Sequence, residues 1–595
     1  MKRSSGIRTA GILALPPWRA RLLFAVLLLC LFALMARSVY LQGIHNDFLQ
    51  QKGDARYGRV VDVNAHRGMI TDRYGEPLAI STPVESIWVS PNDVEATPQQ
   101  VKQLAQIAGM NPTEVKSRLF DTTRDFTYLK RQLPPEQAEK IVKLEMPGVS
   151  LRREYRRYYP GADVTAHLLG FTDVDDNGQE GIELALQSQL GGKAGSQRVI
   201  KDRRGRIVED VASVRAPKPG SDIALSLDSK IQYLAYRELR LAVEQHHAKA
   251  GSIVVLDTHS GEVLALANWP SYNPNNRSKP DVKLMRNRAV TDLFEPGSTM
   301  KPFTVATALD AGKVTPETVI NTEGGVFVVG GRKIHDTHPE DTLTVAGVIQ
   351  KSSNVGAAKI ALSLPPETFW RSLSDSGFGE QTGSDFPGEA AGRLRDYKKW
   401  RPIEQATMSY GNGISVNLLQ LARAYTVFAN NGELKAITLL KRLPPAALPV
   451  QVAALGKIPP IDSFSAGKKV FSAATAQAVR DMLEMVVQPG GTAPLAQING
   501  YRVAGKTGTA HKLEGGHYVN RYVASFVGMA PASNPRLIVA VMIDEPSGAE
   551  YYGGQVAAPV FSSVMGAALH LLNVPNDVPL GNVLTPPVEV IKEEA

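Results

Sequence analysis

The run LLFAVLLLCLFALMA, residues 22–36, constrains this chain more than any other feature, because it carries no charge at all. A helix that crosses a bilayer needs about 20 apolar residues. Val39, Tyr40 and Leu41 extend the run, and Arg21 and Arg37 can snorkel to the two interfaces. Residues 22–41 are therefore expected to form one transmembrane anchor. A cleaved signal peptide is the alternative, but its small–x–small site is poorly formed: Leu34-Met-Ala36 and Ala33-Leu-Met35 each place a large residue at one of the two positions. Lys2, Arg3, Arg8, Arg19 and Arg21 precede the run without an acidic residue, so tail 1–21 is expected in the cytoplasm and everything after about residue 42 outside it.

The charge balance follows from this placement. Five of the eight net positive charges lie in the tail, which leaves +3 for the rest of the chain and gives no support for nucleic acid binding. The only cysteine, Cys30, lies inside the apolar run, so the exported part can form no disulfide. Its domains must be held by their cores, and 595 residues at 43% apolar content suffice for two or three of them.

From residue 42 to 220 the chain is rich in arginine and glycine, with short strand-like pieces such as SIWVS (86–90) between turn signals. This predicts an extended, strand-rich, non-catalytic pedestal that ends in the linker-like RAPKPG. A second domain is expected over 221–575. It opens with a helix presenting Ile231, Leu234, Ala235, Leu239, Ala242 and Val243 on one face, followed by a hairpin over 252–267. The runs 502–510, 522–530 and 536–544 predict further strands of a mostly antiparallel sheet that meets helices, an α+β arrangement. The proline- and charge-rich tail 576–595 is expected to be disordered.

The stretch EPGSTMKPF (295–303) places Ser298 and Lys301 three residues apart at the start of an apolar, helical-looking segment that should stop at Gly312. One turn along a helix, a lysine amine reaches the serine hydroxyl. A neutral, buried lysine near another cation can take the proton of a serine that is otherwise a weak nucleophile. The helix start adds N–H groups where an oxyanion would form. Pro302 is tolerated in a first turn. A capped surface helix is the structural alternative, and a second copy of the pattern, Ser465-Ala-Gly-Lys468, is set in a poor helix by Gly467. Two more motifs accompany the first copy: Ser352-Ser353-Asn354 in KSSNVGAAK, and Lys506-Thr507-Gly508 in AGKTGTA, where Gly508 is expected to let a ligand approach the backbone. The order SxxK, SxN, KTG is shared by class A β-lactamases and penicillin-binding proteins.

With these motifs the chain resembles the class B penicillin-binding proteins, and among them the division-specific septal peptidoglycan transpeptidases of Gram-negative bacteria. RGMITDRYGEPLA (67–79), the stretch 156–183 and DRRGR (202–206) are similar to that family's pedestal motifs. FPGE (386–389) and YYGGQVAAPVF (551–561) are similar to the division type. One departure is SYGNG (409–413), which has Asn412 where a second aromatic is expected.

The resemblance implies a penicillin-recognising serine transpeptidase domain with Ser298 as acyl nucleophile, Lys301 as general base, Ser352 as proton relay, and Asn354 holding the substrate amide and Lys301. Lys506 would supply positive potential, Thr507 and Thr509 would bind the substrate carboxylate beside Gly508, and the N–H groups of Ser298 and Thr509 would form the oxyanion hole. No cofactor and no metal are expected. HDTHPED (335–341) offers two histidines and three carboxylates, but a solvated loop is the expected reading. Arg67, Asp72 and Arg73 are read as structural or partner-binding.

The implied reaction is attack on the terminal D-alanyl-D-alanine amide of a peptidoglycan stem peptide, transfer to an amine on a neighbouring stem, and inhibition by β-lactams. A D,D-carboxypeptidase or β-lactamase-type hydrolase shares the acylation chemistry and is the alternative. A non-catalytic antibiotic sensor is the third reading, disfavoured by a cytoplasmic tail too short for a signalling domain. The resemblance also implies an inner-membrane protein with its catalytic domain in the periplasm. Its glycan strands would come from a membrane polymerase among the division proteins.

Overall fold

The structure is a computed structural model that describes residues 17–44, 58–201, 207–276, 281–442 and 467–583. DRRGR (202–206), Ser465 and residues 584–595 lie outside the described residues. Lys468 of the second SxxK copy lies on the two-residue strand Lys468–Lys469 and pairs with Asp375 at 2.7 Å.

The apolar run forms the α-helix Pro17–Val39, which starts ahead of the expected Leu22. Pro17 suits a first turn, where its missing N–H costs nothing. At 1.5 Å per residue the 23-residue helix is about 35 Å long, enough for a hydrocarbon core of about 30 Å. None of its residues is buried within the protein. By length and composition it is the one helix among the described residues able to cross a membrane.

The chain divides into two compact units, and the division departs from the expected boundary near residue 220. The first unit contains Met1–Ala65, Val84–Glu154 and Lys193–Lys218. In it, strands Gly58–Val63, Gly195–Lys201 and Ile207–Arg215 form an antiparallel sheet. Helices Pro98–Ala108, Pro112–Leu119 and Pro135–Val142 close a separate small core around Ile87, Leu104, Val115, Leu119 and Leu129. The Thr97–Gln100 capping box starts the first of these helices, and Gly109 in the left-handed conformation ends it.

The second unit contains His66–Pro83 and Tyr155–Gly192 together with Pro219–Ala595. Two pieces of the expected pedestal thus belong to the catalytic unit. Ile70, Leu78, Leu168, Leu169 and Ile182 share its hydrophobic core, and long-range polar bonds tie the two pieces to each other. Arg67 is 1% exposed and donates to both the carboxylate and the carbonyl of Glu183, to the Asp176 carbonyl and to Gln187 Oε1. Arg157 meets the other Glu183 oxygen at 2.6 Å. Asp72 accepts from the Ser229 hydroxyl at 2.8 Å, which fastens the RGMITDRYGEPLA segment to the first helix of the catalytic region.

That helix, Ser229–Gln245, buries Ile231, Ala235, Leu239, Ala242 and Val243 as expected, with Leu234 partly buried. Buried Gln232 is the unexpected member; its amide bridges the Val164 and Leu266 carbonyls and accepts from Leu266 N. The central sheet is antiparallel, in the order Val263–Trp269, Ala250–Asp257, Leu537–Asp544, His517–Ala530, Ala504–Glu514. Every residue of Ala250–Asp257 and Leu537–Asp544 is buried, so both faces of the sheet are covered, because successive side chains alternate between them. Helices Ser229–Gln245 and Ala558–Leu571 pack on it together, and Leu418–Ala424 packs on its two central strands. The fold is α+β, as expected.

The tail reading needs correction over residues 576–583. Asp577 accepts from Arg502 N at 2.8 Å and from the Ser533 hydroxyl at 2.7 Å, and Asn582 accepts from Gly500 N at 2.7 Å. Polar composition suggested disorder, but here the polar side chains satisfy backbone donors of the domain.

Burial beside the Arg67 cluster raises the Asp176 carboxyl to about 6 despite both arginines. The neutral form is then favoured in the folded state. Its contribution to stability is full below the unfolded value of 3.8 and is lost as pH rises through about 6. Asp176→Asn should gain on the wild type by roughly 3 kcal/mol between about pH 4 and about pH 8. Thermal melts of both proteins across that range check this, and a gap that is flat or narrows would overturn it.

Candidate active site

Ser298 lies in a 3-10 turn, Gly297–Met300, that leads into the α-helix Lys301–Asp310. The sequence reading placed it in the helix itself. The tighter winding matters, because at 3.0 residues per turn positions i and i+3 eclipse. Lys301 Nζ lies 2.8 Å from Ser298 Oγ. Ser298 is 4% exposed and Lys301 fully buried.

The turn is held from several sides. Tyr425 donates its hydroxyl to the Thr299 carbonyl at 2.8 Å, Thr299 bonds back to Pro296 O, and Thr304 bonds to Ser409 O. Phe303 packs among Phe378, Tyr425 and Phe428 at ring distances of 4.9–5.6 Å. At the far end, Gly312 has φ 63°, and the bonds Lys313 N to Ala308 O and Gly312 N to Leu309 O form the expected glycine stop.

Ser352 ends helix Val345–Lys351 in the left-handed conformation, φ 63°, unusual for a residue with a side chain. This aims both its carbonyl and its hydroxyl at Lys301: Nζ donates to Ser352 O and lies 3.0 Å from Ser352 Oγ. Ser353 then caps helix Asn354–Leu362 through Gly356 N. Asn354 Nδ2 donates to His335 O at 3.2 Å, rather than serving Lys301 as expected.

Asp336 is the residue that sequence reasoning missed. It accepts from the Ser353 hydroxyl at 2.5 Å, Asn354 N at 2.6 Å and Val355 N at 2.9 Å. Three donors on one carboxylate at a helix start fix the turn that presents Ser352. Asp336 belongs to HDTHPED, where it looked like one acid in a solvated loop. Its role depends on a helix cap 17 residues away, for which no local pattern exists. His335 and His338 are exposed, and among the described residues no group of three or more His, Cys, Asp or Glu side chains is placed to hold a metal.

Lys506, Thr507, Gly508 and Thr509 lie on the edge strand Ala504–Glu514. A Cβ on Gly508 would come within 2.7 Å of Pro296 O and 2.5 Å of Ser525 Oγ. Its bareness thus admits the backbone of the serine turn, where a ligand was expected. Lys506 is fully buried with Nζ 3.1 Å from Thr507 Oγ1, which itself lies 2.7 Å from Thr492 Oγ1. Thr509 Oγ1 accepts from Gly553 N. Glu295 accepts from Gly413 N at 2.8 Å and from the Tyr518 hydroxyl at 2.9 Å; burial raises its carboxyl, and burial with the nearby carboxylate pushes Tyr518 up to about 12. At the Asn412 departure, the amide lies 3.5 Å from that same Tyr518 hydroxyl.

Residues 251–566 match the penicillin binding protein transpeptidase domain, and residues 62–225 match the penicillin-binding protein dimerisation domain. The chain is 43% identical over 561 residues to the probable peptidoglycan D,D-transpeptidase PenA of Neisseria gonorrhoeae, covering 93% of this chain and 92% of that one. It is 42% identical over 567 residues to the peptidoglycan D,D-transpeptidase FtsI of Escherichia coli K12, covering 94% and 93%. The TP domain of penicillin-binding protein 3 from Burkholderia pseudomallei superposes with a TM-score of 0.53 at 51% identity, covering 60% of this chain and 98% of that one. A buried lysine shared by two serines, flanked by an edge strand carrying Lys-Thr-Gly, accompanies a match along most of the chain, which belongs to the class B penicillin-binding proteins, the serine-type peptidoglycan D,D-transpeptidases.

Proposed function

We propose that Ser298 is the acyl-accepting nucleophile with which this transpeptidase cross-links stem peptides at the division septum, and that Lys301 is its base. One observation carries the reading: a fully buried amine lies within 3.0 Å of the hydroxyls of both Ser298 and Ser352. The Ser352 carbonyl can only accept, so one N–H of Lys301 is directed there. A neutral amine keeps a second N–H for Ser352 Oγ and a lone pair for the Ser298 proton. Only in that neutral state can the lysine serve as a base.

In acylation the Ser298 oxygen attacks the carbonyl carbon between the last two D-alanines and its proton passes to Lys301. The N–H groups of Ser298 and Thr509 hold the oxyanion. The C–N bond breaks, and the proton moves through Ser352 to the departing D-alanine amine. The amine of a neighbouring stem then attacks the Ser298 ester, gives its proton to the same relay, and restores the serine. Lys506, Thr507 and Thr509 hold the terminal carboxylate of the donor, whose backbone lies along the edge strand by Gly508. Thr509 accepts from Gly553 N and keeps its own proton for a ligand. Asn354 uses one N–H on His335, leaving its amide oxygen and second N–H for the substrate amide. A β-lactam enters by the same attack.

Helix Pro17–Val39 anchors the enzyme in the inner membrane with the basic tail in the cytoplasm and the catalytic unit in the periplasm. A membrane glycan polymerase of the division machinery is the partner that this placement requires.

Three experiments test the reading. Ser298→Ala should abolish covalent labelling by penicillin with an unchanged melting temperature, and retained label would remove Ser298 from its role. Asp336→Ala should slow penicillin acylation roughly ten- to hundredfold by releasing the Ser352 turn, with Asp336→Asn in between; an unchanged rate would show that the turn holds without it. The full chain should stay in the membrane fraction with its basic tail intact, whereas a mature form beginning near Arg37 would mean that the helix is a signal peptide.

A further inference from the structure

Pro302, the residue after Lys301, has no backbone N–H to donate, and two carbonyls of the serine turn are affected. In an α-helix the Ser298 carbonyl accepts from the residue four along, and in a 3-10 helix the Thr299 carbonyl accepts from the residue three along; both places are position 302. Neither bond can form. The structure gives both carbonyls other donors: Ser298 O accepts from Lys301 N, which is a 3-10 bond, and Thr299 O accepts from the Tyr425 hydroxyl at 2.8 Å. Pro302 and Tyr425 are both buried, and the Tyr425 ring lies against Phe303 and Phe428 at 5.6 and 5.7 Å. The α-helix takes over only at Lys301.

The consequence is angular. Three residues of a 3-10 helix complete a full turn, whereas three residues of an α-helix fall short of it by about 60°. In an α-wound turn Ser298 would stand about 60° around the axis from its present place relative to Lys301, whose amine is also held by the carbonyl and hydroxyl of Ser352 on another element. The contact of 2.8 Å between Lys301 Nζ and Ser298 Oγ depends on the tighter winding. We propose that Pro302 and Tyr425 are positioning residues for acyl transfer: the missing N–H of Pro302 imposes the 3-10 winding that aligns Ser298 with Lys301, and the Tyr425 hydroxyl holds the carbonyl that this winding leaves over. The inference rests on the reading of Ser298 and Lys301 given above. Any residue with an N–H at position 302 offers Ser298 O its α-helical donor and lets the turn rewind.

The test uses the full chain in detergent, made by cell-free translation so that position 302 can carry proline, alanine or lactic acid. Lactic acid has the methyl group of alanine, but its backbone ester has no N–H. Covalent penicillin labelling followed against penicillin concentration separates the affinity of the first complex from the acylation rate constant, and a thermal melt of each protein reports folding. Pro302→Ala should acylate roughly ten- to a hundredfold more slowly with the first-complex affinity and the melting temperature close to those of the wild type. Lactic acid at position 302 should restore most of the rate. Tyr425→Phe, which keeps the ring, should slow acylation roughly tenfold in the same way, and it carries the test alone where the alanine protein does not fold. A wild-type rate in Pro302→Ala or in Tyr425→Phe overturns the proposal. So does an ester protein as slow as the alanine one, since the proline ring and not its missing N–H would then be the cause. Lost affinity at an unchanged rate, or rates that fall only as melting temperatures fall, also overturn it, since either marks a merely structural role. A wild type that penicillin does not label at Ser298 overturns the parent reading and this inference with it.

Discussion

A lysine with no solvent exposure must find its partners inside the protein, and the place where Lys301 finds them determines the rest of the catalytic unit. Its amine meets Ser298 on its own turn and the carbonyl and hydroxyl of Ser352 on another element. Each contact sets a condition. Ser298 can be reached because the turn is wound as a 3-10 helix, which brings positions three apart into line. Ser352 can offer two oxygens because it adopts a left-handed backbone, and a residue with a side chain does so at a cost of about 1–3 kcal/mol that its surroundings must offset. The three donors that converge on Asp336, in the very next turn, are a local source of that offset.

The edge strand meets a second condition, close approach without side chains. Gly508 faces Pro296 O, Gly553 lies over Gly508 O and Ser525 O, and Gly411 lies over the Gly297 backbone; a Cβ at any of these would fall within 2.2–2.7 Å of another atom. The serine turn, the Lys-Thr-Gly strand and the SYGNG loop are thus pressed together backbone to backbone. Among the described residues the outer edge of Ala504–Glu514 has no strand partner in the sheet, so an extended peptide can add there while the opposite edge stays fixed by His517–Ala530. An edge strand that is buried over its first seven residues and emerges only at its end is suited to binding a chain at a fixed register.

Much of this was legible in the sequence, for physical reasons that differ from piece to piece. The strand 537–544 announced itself as an apolar run, and both faces of the sheet are covered there. The helix stop at Gly312 was legible because one residue type suits its φ of 63°. Ser298 and Lys301 were legible as a pair because a spacing of three is a statement about one turn. What could not be read depends on partners remote in sequence. Asp336 acts on a cap 17 residues later, Glu183 meets Arg67 across 116 residues, and Asp577 meets Arg502 across 75. Composition also misled in 576–583, where polar residues serve backbone donors instead of solvent.

The Arg67 cluster joins two segments that both precede the linker-like stretch near residue 220 and both belong to the catalytic unit. Two buried guanidinium groups share the Glu183 carboxylate, and Arg67 also takes the Glu183 carbonyl, so neither arginine can leave without stranding charge in a desolvated place. Removing one partner of such a cluster typically costs several kcal/mol, far more than a surface pair. Segments His66–Pro83 and Tyr155–Gly192 are thus tied to each other by this cluster, and to the rest of the catalytic unit by Asp72 on Ser229, Arg73 on Glu262 and a common core that takes in Ile70, Leu168, Leu169 and Ile182. The arginine-rich stretch 152–157 is divided residue by residue: Arg157 is buried in the cluster, while Arg153 and Arg156 are exposed. Charge density along a sequence says little about exposure until the acids that answer it are located in space.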